Sequence, residues 1–492
     1  MKAAAATLGA LAMLAGCSLA PAASVGEATD DTPGYEASAS APASLPDISV
    51  SDRDASGEYD ESAAVTLAPD GDLTISSAGV YILGGSYENC MIVVDAGEDD
   101  KVQLVLVNAG LSNPDGPAIC VRSADKVFIT AAAGTVNSIS DGSDYSAADG
   151  ETELDAAVFS REDLTINGSG KLTINGNYKH AVVSKDDLVI TASDLTVNAV
   201  KTGLIGKDSV RFSGASAAVS AGSDGVRSSN SSDSERGFVS AENSSISVSS
   251  GRDGIQAETF FISNDSDIGI VSGGGASARA PQESCKGVKA GVSVTINGGS
   301  CDIDSADDAI HSDGDVTVTA GSLRLQSGDD AIHADEKAEI SGGSVSITAS
   351  EGIEATYVLI SGGVIDISAS DDGINASRKS DAYSPTVEIR GGEISITMGP
   401  GDTDGIDSNG DVIITGGTVR ISGGSSFDYD GKAIFTGGEV YVNGVQVTTL
   451  PNQFMGGGPG GMGGPGGGPG GGPGGGTGGG PGGGTGGGPG GR

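Results

Sequence analysis

The chain has 492 residues, a formal net charge of −40, 84 glycines, no tryptophan and only 4% aromatic residues. It therefore lacks the bulk from which large globular cores are normally built, and its many Val, Ile, Thr and Ser point to a thin core of small β-branched residues. So negative a balance argues against nucleic acid and anionic membranes as direct partners, and favours metal cations or polymers that cations bridge.

The N-terminus, MKAAAATLGALAMLAGCSLA, places one Lys and an apolar run before Leu14-Ala15-Gly16-Cys17. That is the layout of an export signal ending in a bacterial lipobox. Residues 1–17 are expected to form a lipoprotein signal peptide with Cys17 as the lipidated residue. The rest is then exported and anchored in the membrane at the bacterial cell surface. No later run approaches the ~18 apolar residues of a spanning helix. Residues 18–60, rich in Ala, Ser, Pro and acids, read as a flexible spacer, and residues 455–492 as a disordered Gly/Pro-rich tail. Cys90, Cys120, Cys285 and Cys301 permit two disulfides, with the pairing open.

Residues 61–454 carry a repeat. A small residue followed by an aliphatic recurs from Ala118-Ile119 to Ala433-Ile434, and at its tightest (Ala309, Ala331, Gly352, Gly373) the interval is 21 or 22 residues. Within each repeat the residues alternate: Val316, Val318, Leu323 and Leu325 share one face, and Thr317, Arg324 and Gln326 the other. Period-two alternation means strands, and a unit this short closes its core only by stacking. The expected fold is all-β: a parallel β-helix, a solenoid with three sheets and about 13 coils of 21–22 residues plus loop insertions. At ~4.8 Å per coil this makes a rod roughly 60 Å long.

Stacking turns sequence repeats into ladders. The residues before the small-aliphatic pairs are Asp224, Asp253, Lys286, Asp308, Asp330, Glu351, Asp372 and Asp404, doubled by Asp307, Asp329 and Asp371. The residues after the pairs include Gln256, Lys289, His311, His333, Glu354, Asn375 and Asp407, expected to face outward beside a shallow trough left by the small residues. Carboxylates ~4.8 Å apart repel by about 1 kcal/mol even in water, and calcium, a hard cation taking six to eight oxygens, offsets this. Calcium is therefore expected among Asp307, Asp308, Asp329, Asp330, Glu351, Asp371, Asp372 and Asp404. The stretch GPGDTDGIDSNGD, with Asp402, Asp404 and Asp407, resembles a calcium loop without the EF-hand spacing. Lys286, Lys289, His311, His333, Glu354, Asn375 and Asp407 are candidate glycan contacts. Lys286 and Lys289 are also candidate bases for a β-elimination, against the plainer reading of an inter-coil salt bridge relieving Asp308. The stacked His pair reads as hydrogen-bonded neighbours rather than a transition-metal site.

KGVKAGVSVTINGG followed by DSADDAIHSDGDVTVTAGSLRLQSGDDAIHADEKAEISGG resembles a bacterial family of exported carbohydrate-binding domain-containing proteins. The resemblance spans about Asp60 to Phe454. It implies a right-handed parallel β-helix akin to polysaccharide lyases, binding polysaccharides such as cellulose and pectate with calcium. It carries the metal role onto the paired aspartates and a lyase-like role onto Lys286 and Lys289. With no Trp, and with Tyr357, Tyr383 and Tyr429 on no common ladder, binding is expected to lean on carboxylates, amides and calcium, favouring acidic glycans such as pectate. The alternatives are a calcium-dependent lyase using Lys286 or Lys289 as base, and a structural surface adhesin without glycan binding.

Overall fold

The computed structural model describes residues 44–145, 154–279, 282–401 and 403–452. The lipobox with Cys17, the Gly-rich tail and Asp402 lie outside the described residues. No described helix is long and apolar enough to cross a membrane.

Strands form where alternation is cleanest. In Asp315–Ser327, Val316, Val318, Leu323 and Leu325 are buried to 2% exposure or less while Thr317, Arg324 and Gln326 face out. Each strand pairs in parallel with its equivalents one repeat before and after, so like residues stack in rows through the core. One row runs Leu73, Ile92, Ile119, Val158, Val182, Leu204, Val226 and Ile255. It continues through Val288, Ile310, Ile332, Ile353, Ile374 and Ile406 to Phe427. Each aliphatic buried this way contributes roughly 1.5–3 kcal/mol. The row begins two tiers earlier than the small-aliphatic pattern shows, because Leu73 and Ile92 follow Asp72 and Met91. It ends on Phe427, and Ile434 belongs elsewhere, opposite Ile413.

The expectation of an open right-handed parallel β-helix with three sheets and about 13 coils is corrected. The strands close laterally into one barrel-like parallel wall around a single core, and all 41 strands among the described residues belong to one sheet. The physical reason lies at the corners, where backbone bonding does not stop. Gly287 N donates to Asp308 O and Ala309 N to Asp330 O, both at 2.9 Å, so one strand's ladder runs into the next. Where the wall runs out, Glu439–Val442 turns back through Asn443-Gly444 onto Val445–Val447, the one antiparallel pair among the described residues. Both turn residues have positive φ (50° and 77°), as a two-residue hairpin requires.

The trough expected over the small residues is also corrected. These residues face inward: a Cβ on Gly225 would lie 2.2 Å from Val248 Cγ1, and one on Gly352 2.6 Å from Ile367 Cγ2. They are small because an aliphatic of the adjoining strand occupies the corner.

The described part of the segment read as a spacer docks on the wall. Ser51 caps a short helix, Asp52–Ala55, and Ile48 packs against Phe238, Phe260 and Ile262. Asp54, 4% exposed, accepts from Lys126 Nζ at 2.9 Å and Thr165 Oγ1 at 2.5 Å. The four later cysteines are buried, and no disulfide joins them, so neither of the permitted disulfides forms.

Candidate functional site

The register assembles two adjacent rows at one corner. Gln256, Lys289, His311, His333, Glu354, Asn375 and Asp407 align one above another, and Asp428 extends them. Beside them run Asp224, Asp253, Lys286, Asp308 and Asp330, tied by successive amide bonds such as Gly254 N to Lys286 O. Glu351 pairs with Asp330, and Asp372 and Asp404 follow. Asp224, Asp253, Asp308 and Asp330 are at most 6% exposed, far more buried than turn aspartates usually are. Asp307 is half-buried, and Asp329 and Asp371 are exposed.

The upper half of the corner neutralises itself. Lys286 Nζ sits 2.6 Å from Asp308 Oδ2 and 3.2 Å from Asp307 Oδ1. His311 Nδ1 lies 2.8 Å from Asp308 Oδ2 and its Nε2 3.1 Å from Asp313 Oδ1. One tier on, His333 Nδ1 lies 2.7 Å from Asp330 and 3.1 Å from Glu354, and Nε2 3.3 Å from Asp335. The two imidazoles stack at 4.7 Å. Lys379 reaches from a loop to Glu354 at 2.7 Å.

Titration follows these partners. Burial opposes the charge on Asp308, but His311 and Lys286 outweigh it and hold the carboxyl below its usual range. Glu354 is brought down to about 2 against burial by His333 and Lys379. Burial likewise opposes protonated His333, yet its bonds to Asp330 and Glu354 raise it to about 10. Asp330 moves upward, through burial and the charges of Asp308 and Glu354, in spite of its bond from His333. Lys286 is raised because Asp308 and Asp307 outweigh its burial.

The lower half has fewer cations of its own. Glu351 is pushed up to about 8 by burial and by Asp330, Glu354 and Asp372, despite a 3.0 Å bond from Asn375 Nδ2. Asp372 rises to about 6 through burial, Asp371 and Asp404, and Asp407 to about 7 through burial, Asp372 and Asp428. Asn375 lies between Glu354 and Asp407 in the row, is 9% exposed, and its Oδ1 is buried with no hydrogen-bond partner. A buried amide oxygen left without a donor beside carboxylates raised by burial and by neighbouring charge suits a hard cation.

Geometry and charge favour different ends for a metal. Ligand atoms of Asp307, Asp308 and Asp329 lie within 4.8 Å of one another, as do those of Asp308, His311 and His333, and of Asp330, His333 and Glu354. Those sets already hold Lys286 or a charged imidazole. The carboxylates around Asn375 have the greater electrostatic need, and need weighs more because half-buried carboxylates can still rotate onto an ion while a buried, ion-paired ammonium does not leave.

Sequence reading missed Asp313, Asp335, Lys379 and Asp428. The first two had a signal: Asp308-x-x-His311-x-Asp313 recurs as Asp330-x-x-His333-x-Asp335, a carboxylate for each ring nitrogen. Lys379 arrives from an insertion and has none.

The family model described as carbohydrate-binding domain-containing protein matches residues 69–331 and 328–450. The chain belongs to this family. A carbohydrate-binding domain-containing protein of Acetivibrio thermocellus is 33% identical over 129 residues, 26% of this chain and 45% of the relative, so the match spans under half of that protein. A solved polysaccharide lyase-like protein from C. thermocellum, a gadolinium derivative, is 28% identical over 43% of this chain and 91% of that one, with a TM-score of 0.41.

Proposed function

We propose that this member of the carbohydrate-binding family is a calcium-dependent, noncatalytic glycan-binding protein, held at the cell surface through Cys17 and favouring acidic polysaccharides such as pectate. The observation that carries the calcium is the lower half of the corner: Glu351, Asp372 and Asp407, each raised by burial and by neighbouring carboxylates, around the orphaned Asn375 Oδ1. Glu351, Asp372, Asp404, Asp407 and Asn375 would hold the ion, and Asp371 and Asp428 lie close by. A bound divalent ion would supply positive charge to an otherwise strongly negative surface, and so an attachment point for uronate carboxylates.

The lyase reading is disfavoured by Lys286. It is ion-paired with Asp308 and Asp307 and its proton is held tightly, the reverse of what a proton-abstracting base requires.

The test is co-sedimentation of the full chain with insoluble pectate in calcium and in chelator, with unsaturated uronide release followed alongside. Binding lost in chelator, without uronide release, is expected. Equal binding in chelator would remove calcium from the reading, and uronide release would restore the lyase.

A further inference from the structure

Away from the acidic corner, the outward faces of four strands carry a polar row: Asp304, Gln326, Thr348 and Ser368, in register on successive tiers. Over it hangs the described first part, residues 273–279, of the loop inserted after Ser272. Gly275 and Ala276 bring that loop down on Asp304, whose Oδ1 accepts from Ala276 N at 2.7 Å. The approach needs glycine: a Cβ on Gly275, at φ +83°, would lie 2.7 Å from Asp304 Oδ2. Between loop and wall is an open groove of about 420 Å³, lined by Ser277, Asp304, Gln326, Thr348, Ser350 and Ser370 among others.

We propose that this groove is a hydroxyl-reading subsite for an uncharged stretch of an unbranched glycan lying along the stacking direction. Four observations support it. The side chains of Gln326, Thr348, Ser350 and Ser370 make no hydrogen bond to any described residue, in contrast to the paired groups of the acidic corner. Hydroxyls and one amide, each able to donate and accept, match the mixed character of sugar hydroxyls. The groove holds one carboxylate and no Lys or Arg, so it has no counter-charge for an anionic ligand. The tiers repeat at ~4.8 Å, comparable to the length of one pyranose unit, so a chain along the axis meets a fresh set of polar groups at each sugar. The volume lies within the usual range for small-ligand sites.

This inference rests on the glycan-binding reading and locates part of it. The groove ends one residue from the acidic corner, since Ser350 precedes Glu351 and Ser370 precedes Asp371. A glycan in the groove therefore runs beside the carboxylates, and charged and uncharged sugars are read by different parts of one surface.

The experiment is calorimetric titration of the full chain with cellohexaose and with hexagalacturonate, each with and without calcium, for wild type, Thr348→Trp and Gln326→Ala. Thr348 is exposed, so the indole fills the groove without entering the core. Cellohexaose is expected to bind wild type without calcium, at least about tenfold more weakly to Thr348→Trp, and about fivefold more weakly to Gln326→Ala, the loss of one hydrogen bond. Melting temperature should be unchanged. Wild-type binding of either hexamer with both variants unaffected would overturn the groove and leave the proposed function standing. No binding of either hexamer to wild type would overturn both. If Thr348→Trp does not fold, Gln326→Ala decides.

Discussion

Replacing Lys286 by Met should expose how the corner is neutralised. The ammonium lies 2.6 Å from Asp308, which is 3% exposed, and 3.2 Å from Asp307. Removing one partner of a buried pair typically costs about 3–5 kcal/mol, because the remaining charge stays buried. Here Asp308 keeps His311 at 2.8 Å and the Asp330 amide at 3.2 Å, so a loss of about 2–3 kcal/mol is expected. The loss should depend on pH in a defined direction. Asp308 is held below its ordinary value, so its contribution is present above about pH 4 and disappears as pH falls through the folded value. Wild type and variant should therefore draw closer in acid, the gap narrowed but not closed at pH 3 because the folded value lies lower still. Guanidinium unfolding at pH 7 and pH 3 measures the difference, and hydrogen exchange at the Gly287 and Ala309 amides localises it to these tiers. Calcium should restore part of the loss, because Asp307, Asp308 and Asp329, with oxygens within 4.8 Å, would no longer share their space with an ammonium. A loss below about 0.5 kcal/mol at pH 7, or no effect of calcium, would refute the view that Lys286 does a cation's work here.

Without divalent ions, the protein should lose stability between pH 5 and pH 8. Asp372, Asp407 and Glu351 are held at about 6, 7 and 8, above their unfolded values, so their favourable contribution exists in acid and is lost as pH rises through those values. Melting temperatures in chelator should fall over this range and in calcium should not; parallel curves would count against a cation there. Gly225→Ala should destabilise by about 1–3 kcal/mol, since its Cβ meets Val248 Cγ1 at 2.2 Å, and urea unfolding checks this. Asp54→Ala should cost about 2–3 kcal/mol by leaving Lys126, 13% exposed at its side chain, with only the more distant Asp163 at 3.7 Å, and should release the docked segment to proteolysis before residue 60.

The sequence alone determined that the protein is all-β, that its repeats stack, and which residues share a row. Alternation fixes the inward face of a strand, and a repeat of constant length forces like residues into register. Hence Lys289, His311, His333, Glu354, Asn375 and Asp407 could be aligned from spacing, and the family read from DDAIH and KGVKAG. Tertiary structure decided the rest. Whether strands fuse across corners into one closed wall depends on backbone bonds such as Gly287 N to Asp308 O, which no side-chain pattern encodes. Whether an acidic row needs a metal depends on which cations reach it. Lys286 lies within the row and was visible, whereas Lys379 and the loop over Asp304 come from insertions whose path is set by packing. Local periodicity carries the rows; the balance of charge within them is a sum over neighbours that only the folded chain brings together.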